Sequence, residues 1–238
     1  MDKTVFDFKE GEVLLVNKPL EWTSFDVVNK LRYTIKHKLG IKKIKVGHAG
    51  TLDPLADGLL IICTGKKTKT IESLMGLEKV YSGIIRLGAT TPSYDLETEI
   101  DQTFPTEHIT EHLIIDTAKN MEGEYDQYPP IFSAKKVKGK KAYDLARKGE
   151  EVILKPKKIA IHSFQVTQIK ENEVYFKISC SKGTYIRSIA HDFGKLLNSG
   201  GHLSALKREA IGEYDLKNAL NVEEWIQTIK NANIPSFE

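Results

Sequence analysis

The stretch from Gly47 to Gly58, Gly-His-Ala-Gly-Thr-Leu-Asp-Pro-Leu-Ala-Asp-Gly, constrains the fold of this chain more than any other. Its three glycines permit positive φ angles and close approach of a ligand. Pro54 fixes its own φ and biases Asp53 towards an extended conformation. The apolar run Leu59–Ile62 follows at once and predicts a buried strand. The sequence therefore predicts a rigid loop that presents the Asp53 carboxylate at a strand edge, as a nucleophile or a base would be presented.

A purely structural interpretation of the same stretch stays open. Glycine, proline and aspartate are also the residues of ordinary tight turns. In that case Asp53 caps backbone amides, and His48 satisfies a buried polar contact.

Composition excludes several classes of protein. The hydrophobic fraction of 40% and charged fraction of 28% are typical of a globular protein. The net charge of +3 is too small to indicate nucleic acid binding by itself, so local clusters must carry that case. The two cysteines, Cys63 and Cys180, form no CxxC pair, and no apolar run approaches the ~20 residues of a membrane span. Because the N-terminus also lacks a signal-peptide core, we predict a cytoplasmic protein with no membrane partner.

Periodicity and turn residues predict an α+β fold, because strands outnumber helices and neither a βαβ alternation nor a GxGxxG motif occurs. Thr23-Ser24 predicts a helix start and Thr184 predicts another, each by an N-cap. The predicted strands are residues 12–17, 58–64, 81–87, 159–169 and 174–180, and the predicted helices are residues 25–37, 66–74, 106–121 and 184–197.

The segment Tyr128–Lys158 is strongly basic, with ten basic residues against three acidic ones. We interpret it as an inserted arm with a helix from about residue 141 to 148. Lysines interleaved with aromatic residues suit a phosphate backbone, although lysine runs are also common in solvated loops. The densest cluster consists of Lys135, Lys136, Lys138, Lys140 and Lys141.

Two single residues outside the arm are candidates for chemistry. Arg187 falls in the first turn of the predicted helix that follows Lys182-Gly183, and its planar fork suits a carboxylate or a phosphate. The alternative is a surface arginine in a salt bridge of little consequence. Tyr81 lies on a predicted strand, where it is either a core residue or a platform for a nucleobase.

A short motif points to a different chemistry. His108-Ile-Thr-Glu-His112 matches the HxxEH pattern of some zinc peptidases, and on the predicted helix its two histidines would share a face. Such a match arises easily by chance, and no downstream carboxylate stands out as a third ligand.

Taken together, these residues resemble the TruB family of pseudouridine synthases, which isomerise a uridine in the T loop of tRNA. The resemblance runs from about Glu12 to Tyr214 and keeps the order of the family's motifs. The similar motifs are Lys18-Pro19 with Trp22–Val28, Gly47–Pro54, Gln127–Ala134 with the residues around Ala142-Tyr143, Lys182–Arg187, and Gly201–Leu203 with Leu206 and Arg208.

The resemblance implies a pseudouridine synthase fold: a mixed, mostly antiparallel central sheet flanked by helices. It implies a single catalytic domain over residues 1–238, with the RNA-binding arm at about 123–158 and a C-terminal helix and tail at about 215–238. Many family members continue into a PUA domain that grips tRNA. The residues after Tyr214 are too few for one, so we expect a catalytic domain alone.

The resemblance also implies roles for particular residues. Asp53 would be the ionised nucleophile, attacking either C6 or C1′, and Arg187 would pair with it. Tyr81 would stack on the flipped uracil and could take the C5 proton. The implied substrate contacts are His48, which would fill the gap left in the RNA loop, Tyr185 and Leu206 in the uracil pocket (with Leu203 as the other candidate wall), and Lys18, Lys135, Lys136, Lys138 and Arg208.

The implied reaction needs no cofactor and no metal, and its implied partner is the T arm of tRNA, bound by a monomer without an obligate protein partner. A synthase for ribosomal or guide-directed uridines is the nearest alternative. A non-catalytic RNA-binding or RNA-folding module is the alternative from another class.

Overall fold

The computed structural model describes residues 5–132, 136–137, 140–141 and 154–234, the two short segments by their backbone only. It divides the chain into two compact units. The first unit combines Met1–Lys79 with Lys207–Glu238, and the second is Val80–Leu206. Most of the predicted helix at 141–148 lies outside the described residues.

The described helices are α1 (Ser24–Leu39), α2 (Ile71–Gly76), α3 (Glu111–Asn120), α4 (Ile186–Leu196) and α5 (Val222–Asn231). The described strands are β1 (Val13–Lys18), β2 (Val46–His48), β3 (Ala56–Thr64), β4 (Lys79–Leu87), β5 (Ala89–Thr90), β6 (Gln102–Thr103), β7 (Gly123–Gln127), β8 (Lys136–Val137), β9 (Lys140–Lys141), β10 (Lys157–Lys170), β11 (Glu173–Cys180), β12 (Gly201–Ile211), β13 (Tyr214–Asp215) and β14 (Leu220–Asn221).

In the first unit, β3 lies between β1 and β12, β14 adds to the outer side of β1, β2 pairs with β3, and β13 pairs with β12. The β1–β3 pair is antiparallel, with Leu15 opposite Ile61, whereas β1–β14 is parallel. The continuous apolar run predicted to be a buried strand is confirmed, since Leu59–Ile62 are fully buried.

Helix α1 has the start that the sequence predicts. Thr23 accepts from the backbone of Asp26, whose side chain accepts in return, which forms a capping box. Gly40 ends the helix with a φ of 61°. Its apolar face, which includes Val27, Leu31 and Ile35, packs in one core with Trp225 and other apolar residues of α5.

In the second unit the strand order is β12-β4-β11-β10-β7. Strand β10 pairs antiparallel with both β11 and β7. Together with the first unit, this confirms the mixed, mostly antiparallel sheet of an α+β fold. None of the helices within the described residues is long and apolar enough to cross a membrane.

Two helix starts differ from the prediction. Helix α3 begins at Glu111 rather than near Thr106, because Thr110 is the N-cap and accepts from the amide of Leu113. Helix α4 begins at Ile186, and Thr184 does not cap it, because the Thr184 hydroxyl donates to the carbonyl oxygen of Ser181 instead. The predicted short helix at 66–74 is a 3-10 turn, Gly65–Thr70, followed by α2.

Candidate active site

The Asp53 loop connects β2 to β3, which pair antiparallel with His48 opposite Ile62. The loop is closed at its two ends by the bond from the Ala49 amide to Ile61 O and by the bond from the Ala56 amide to Asp53 O. Gly50 and Gly58 have φ angles of 98° and 104°, as the glycine-rich sequence predicts. Asp53 itself is half-buried.

The side chain of Arg208 holds this loop by hydrogen bonds to its backbone carbonyls. Its side chain is almost fully buried, and its Nε donates to Leu59 O at 2.7 Å. Its Nη2 donates to Gly50 O at 3.0 Å and its Nη1 reaches Thr51 O at 3.4 Å. A side chain with several donors in a fixed fork can satisfy several loop carbonyls at once and so hold their relative positions.

A second support comes from helix α1. The Ser24 hydroxyl accepts from the amide of Leu52 at 2.8 Å and donates to the carbonyl oxygen of the same residue at 3.1 Å. Both the backbone N–H and the backbone carbonyl of Leu52, the residue immediately before Asp53, are therefore held by hydrogen bonds.

Lys18 is a buried cation in the same unit. Its Nζ donates to Pro19 O at 2.8 Å and to Trp22 O at 2.7 Å, and the residue has no exposed surface. Burial lowers the pKa of Lys18 to about 8, although the nearby carboxylates of Asp57 and Asp53 act against that shift. At neutral pH the ammonium is therefore charged and contributes positive potential next to Asp53.

His48 precedes the loop and is half-buried. Burial, followed by the charge of Arg208, lowers the pKa of its imidazole. The ring is therefore neutral at pH 7.

In the second unit, Arg187 lies in the first turn of α4 and is buried, so the interpretation as a surface arginine is wrong. Its Nη1 lies 3.3 Å from Oδ2 of Asp95 and 3.4 Å from Ser93 O. Asp95 is itself fixed, because its Oδ1 accepts from the amide of Glu97 and its carbonyl oxygen accepts from the Thr91 hydroxyl.

Asp95 is a site residue that sequence reasoning missed. It stands in a polar segment whose residues predict a turn, and nothing in that pattern indicates a buried carboxylate. Gln127 is another: its side-chain amide accepts from the Tyr185 amide at 2.8 Å and donates to Tyr185 O at 3.0 Å, which fixes the backbone just before α4.

The remaining predicted pocket residues also lie in the second unit. Tyr81 is buried on β4, Tyr185 is half-buried before α4, and Leu206 is half-buried on β12. The structure thus brings Lys18, His48 and Arg208 together around the Asp53 loop in one unit, and Arg187 together with Asp95 in the other. The pairing of Asp53 with Arg187 stays a prediction. Lys135 and Lys138 lie outside the described residues, and Lys136 is described by its backbone alone.

The HxxEH match does not have the geometry of a zinc motif. His108 lies in a turn before α3, with its Nε2 2.9 Å from Leu197 O, whereas His112 lies on the helix with its Nδ1 2.9 Å from Asp116. The two histidines therefore do not share a helical face. Within the described part of the chain, no group of three or more histidine, cysteine or acidic side chains could hold a metal ion.

Comparison with known proteins gives consistent matches. Residues 36–186 match the family described as TruB family pseudouridylate synthase (N terminal domain). A curated protein of Flavobacterium johnsoniae, tRNA pseudouridine synthase B, is 58% identical over 91% of this chain and 95% of its own length. Proteins with the same name from Parabacteroides distasonis and Chlorobaculum tepidum are 53% and 51% identical, over 98% and 94% of this chain and 98% and 93% of their own lengths.

Solved structures share the fold. A chain from a Cbf5-Nop10-Gar1 complex superposes with a TM-score of 0.68 at 26% identity, over 93% of this chain. A chain from an H/ACA RNP bound to a substrate RNA containing 2'-deoxyuridine superposes with a TM-score of 0.67 at 23% identity, over 96% of this chain. The present chain spans 60% of the length of each.

Proposed function

Since the chain belongs to the TruB family of pseudouridylate synthases, we propose that it converts a uridine in the T loop of tRNA, uridine 55, to pseudouridine. The observation that carries this proposal is the loop itself: Asp53 stands in a glycine-rich connection that Arg208 and Ser24 hold by its backbone. Relatives that are more than half identical over nearly the whole chain are named for a synthase acting on tRNA.

The proposed reaction is an isomerisation. The bond between uracil N1 and ribose C1′ breaks, the base rotates, C5 bonds to C1′, and the proton that leaves C5 is balanced by one gained at N1. No electrons are gained or lost, so the chemistry needs neither an oxidant nor a reductant. Because a uridine inside a folded loop is out of reach, the base is first flipped into the site.

We propose that ionised Asp53 is the nucleophile, at C6 of uracil or at C1′ of ribose. Attack by a carboxylate requires it to be charged and rigidly placed. The ammonium of Lys18 supplies positive charge near the carboxylate, and the fixed loop limits the motion of the side chain.

Arg187 is the proposed partner of Asp53. Asp95 and Ser93 fix one nitrogen of its guanidinium, and this contact orients the planar fork. A fork oriented in this way matches a carboxylate at two points, which a lysine ammonium could not do. Asp95 is therefore proposed as a positioning residue that acts through Arg187.

Lys18 and Arg208, which the family resemblance implies as substrate contacts, have another proposed role. Both side chains are buried, and their nitrogens donate to backbone carbonyls close to the Asp53 loop or within it. We propose that they position the loop and do not bind RNA phosphates directly.

The other predicted residues keep their proposed roles. Tyr81 stacks on the flipped uracil and takes the C5 proton, Tyr185 and Leu206 line the pocket, and neutral His48 occupies the space that the uridine leaves. The lysines of the arm, Lys135, Lys136 and Lys138, bind the RNA backbone. We further propose a cytoplasmic monomer that acts without an obligate protein partner.

The direct test is incubation of the purified protein with an unmodified tRNA transcript, followed by carbodiimide modification and primer extension. We expect one new stop, at uridine 55, and none in a reaction with the Asp53→Asn variant. Modification of a ribosomal RNA fragment but not of the tRNA would contradict the proposed substrate. Size-exclusion chromatography of the protein alone tests the monomer.

A further inference from the structure

One face of helix α4 continues beyond the candidate active site. Arg187, His191 and Lys195 follow each other at intervals of four residues and therefore lie on the same side of the helix. The loop that anchors Arg187 runs along this face. Its Ser93 and Asp95 contact Arg187, and the residue between them, Tyr94, stacks on His191 with 4.0 Å between ring centroids and 18° between planes.

The Tyr94 backbone has a φ of 64°, in the left-handed region that a bulky residue rarely adopts. It is held there by the bond from its amide to Thr91 O, at 3.1 Å, and by the bond from the Leu203 amide to its carbonyl oxygen, at 2.9 Å. Strain of this kind persists only where the surroundings impose it, and it is concentrated at binding and catalytic sites.

A cavity of about 610 Å³ opens beside the ring pair. Its volume lies within the range of small-molecule and cofactor sites. We call it the Tyr94 cavity. Its aromatic walls are Tyr94, His191 and Phe104, and its polar side chains include Asp101, Gln102 and Asn198.

The walls favour a flat ligand with a polar edge. Burial, followed by the charge of Lys195, lowers the pKa of His191, so its ring is neutral at pH 7. Both aromatic side chains of the stacked pair then present neutral π surfaces. Asp101 can accept hydrogen bonds, and the amides of Gln102 and Asn198 can both donate and accept.

We propose that the Tyr94 cavity binds a second unpaired nucleobase of the substrate RNA, distinct from the uridine that is isomerised. This inference rests on the proposed function. A nucleobase has the required shape and chemistry, and proteins that recognise unstacked bases hold them by stacking on tyrosine or histidine and by hydrogen bonds to their edges. One helical turn, about 5.4 Å, separates His191 from Arg187, so the second base would lie close to the uridine along the same strand of RNA.

The test is a double-mutant cycle between protein and RNA. Tyr94→Asn removes the ring, while asparagine tolerates the left-handed backbone. Kd values are measured in the Asp53→Asn background, so that turnover does not change the RNA. The RNAs are the unmodified tRNA transcript and versions with one abasic nucleotide at each unpaired position near the target. We expect Tyr94→Asn to weaken binding of the intact RNA by roughly 5- to 100-fold and to have no further effect on the RNA that lacks the bound base.

Two companion variants make the result specific. Tyr94→Phe keeps the ring and should bind like its parent. Gln102→Trp adds bulk at an exposed position of the cavity wall, on β6, and should weaken binding without altering the Tyr94 turn. Circular dichroism and thermal unfolding verify that each variant is folded, and if Tyr94→Asn does not fold, Gln102→Trp decides the question.

The proposal is overturned if the folded Tyr94→Asn and Gln102→Trp variants bind the RNA as tightly as the parent. It is also overturned if, at every abasic position, the loss of affinity from Tyr94→Asn and the loss from the abasic nucleotide are additive. Pseudouridine formation by the unaltered enzyme is measured on the same transcript. If it occurs while these variants bind normally, only the Tyr94 cavity proposal fails. If it does not occur, the proposed function fails.

Discussion

Nη1 of Arg187 lies 3.3 Å from Oδ2 of Asp95, and both side chains are more than nine-tenths buried. Burying a guanidinium and a carboxylate costs several kcal/mol each in desolvation, which their mutual attraction offsets only when the geometry is good. Such a pair contributes little net stability while it is intact. Its consequence is that Arg187 has one defined orientation at the start of α4.

Removing the Asp95 charge should therefore be costly. We expect Asp95→Asn to lower the free energy of unfolding by about 3–5 kcal/mol, because the buried Arg187 guanidinium loses the carboxylate charge that faces it, and to lower kcat at temperatures where the variant is folded. The matched control is Glu124→Gln, which breaks an exposed ion pair with Lys158 and should cost about 0–1 kcal/mol. Urea unfolding gives the unfolding free energy of both variants. Equal losses of unfolding free energy would show that the ion pair between Asp95 and Arg187 has no special structural role.

Replacing Asp53 with asparagine should remove the proposed nucleophile while leaving the loop backbone in place. We expect turnover to fall by at least ~10⁴-fold with tRNA affinity nearly unchanged, measured by pseudouridine mapping and by filter binding. Asp57→Asn, in the same stretch and paired with Lys207 on the surface, is the control that should retain turnover. Pseudouridine formation at a normal rate by Asp53→Asn would refute the assignment of the nucleophile.

The glycines at 58 and 40 allow a test of how tightly the loop is packed. Both have positive φ, but a Cβ on Gly58 would lie 2.4 Å from Arg208 O, whereas a Cβ on Gly40 would have nothing within 4 Å. Gly40→Ala should thus cost only the backbone strain of about 1–2 kcal/mol. Gly58→Ala should cost more than about 4 kcal/mol and should lower activity even below its melting temperature. Similar unfolding free energies for the two variants would contradict the close packing.

Asp192 predicts a specific pH dependence of stability. Burial raises its pKa to about 6, from 3.8, with Lys195 acting weakly in the other direction. Between those two pH values the folded protein binds a proton that the unfolded chain has lost, so the contribution of this group to stability falls as pH rises from about 4 to about 6. Asn cannot ionise. Relative to the unaltered protein, Asp192→Asn should gain stability across that window and keep a constant advantage above pH 7. Parallel pH profiles in urea unfolding would disprove it.

If three lysines of the arm bind RNA phosphates, they should contribute to the salt dependence of tRNA binding. Replacing Lys135, Lys136 and Lys138 with alanine should weaken tRNA binding and reduce the slope of log K against log salt by about 2. A triple alanine variant at Lys119, Lys217 and Lys230 removes the same charge elsewhere and should leave the slope unchanged. If both triple variants change the slope equally, the arm does not bind RNA specifically.

Local sequence was sufficient to predict several elements. Thr23 followed by the apolar spacing of α1 predicted that helix almost to its ends, because cap and periodicity agree there. The Asp53 loop was predicted from Gly50, Pro54 and Gly58, whose backbone limits are properties of single residues. The two apolar strands β1 and β3 followed from their continuous hydrophobic runs.

What escaped prediction depends on contacts between residues distant in sequence. Arg208 is expected from the family resemblance as a substrate contact, but it is buried, and its burial arises from carbonyls about 150 positions away in the chain. Asp95 is buried because Arg187, on another element, faces it. Thr184 has the right position for a helix cap, but its hydroxyl donates a hydrogen bond to the carbonyl oxygen of Ser181 instead. Only the folded chain decides between such competing partners.

The unit that carries Asp53 is assembled from both flanks of the chain: β1 pairs with β14, and the Trp225 indole donates to Leu15 O. These partners are synthesised about 200 residues apart. Strand β3 cannot form its contact with Arg208 until that residue has been synthesised. The segment Val80–Leu206, by contrast, emerges as an uninterrupted piece. The unit that bears Arg187 is therefore one continuous stretch of chain, whereas the unit that bears Asp53 can pair β1 with β14 only after both of its separate segments have been synthesised.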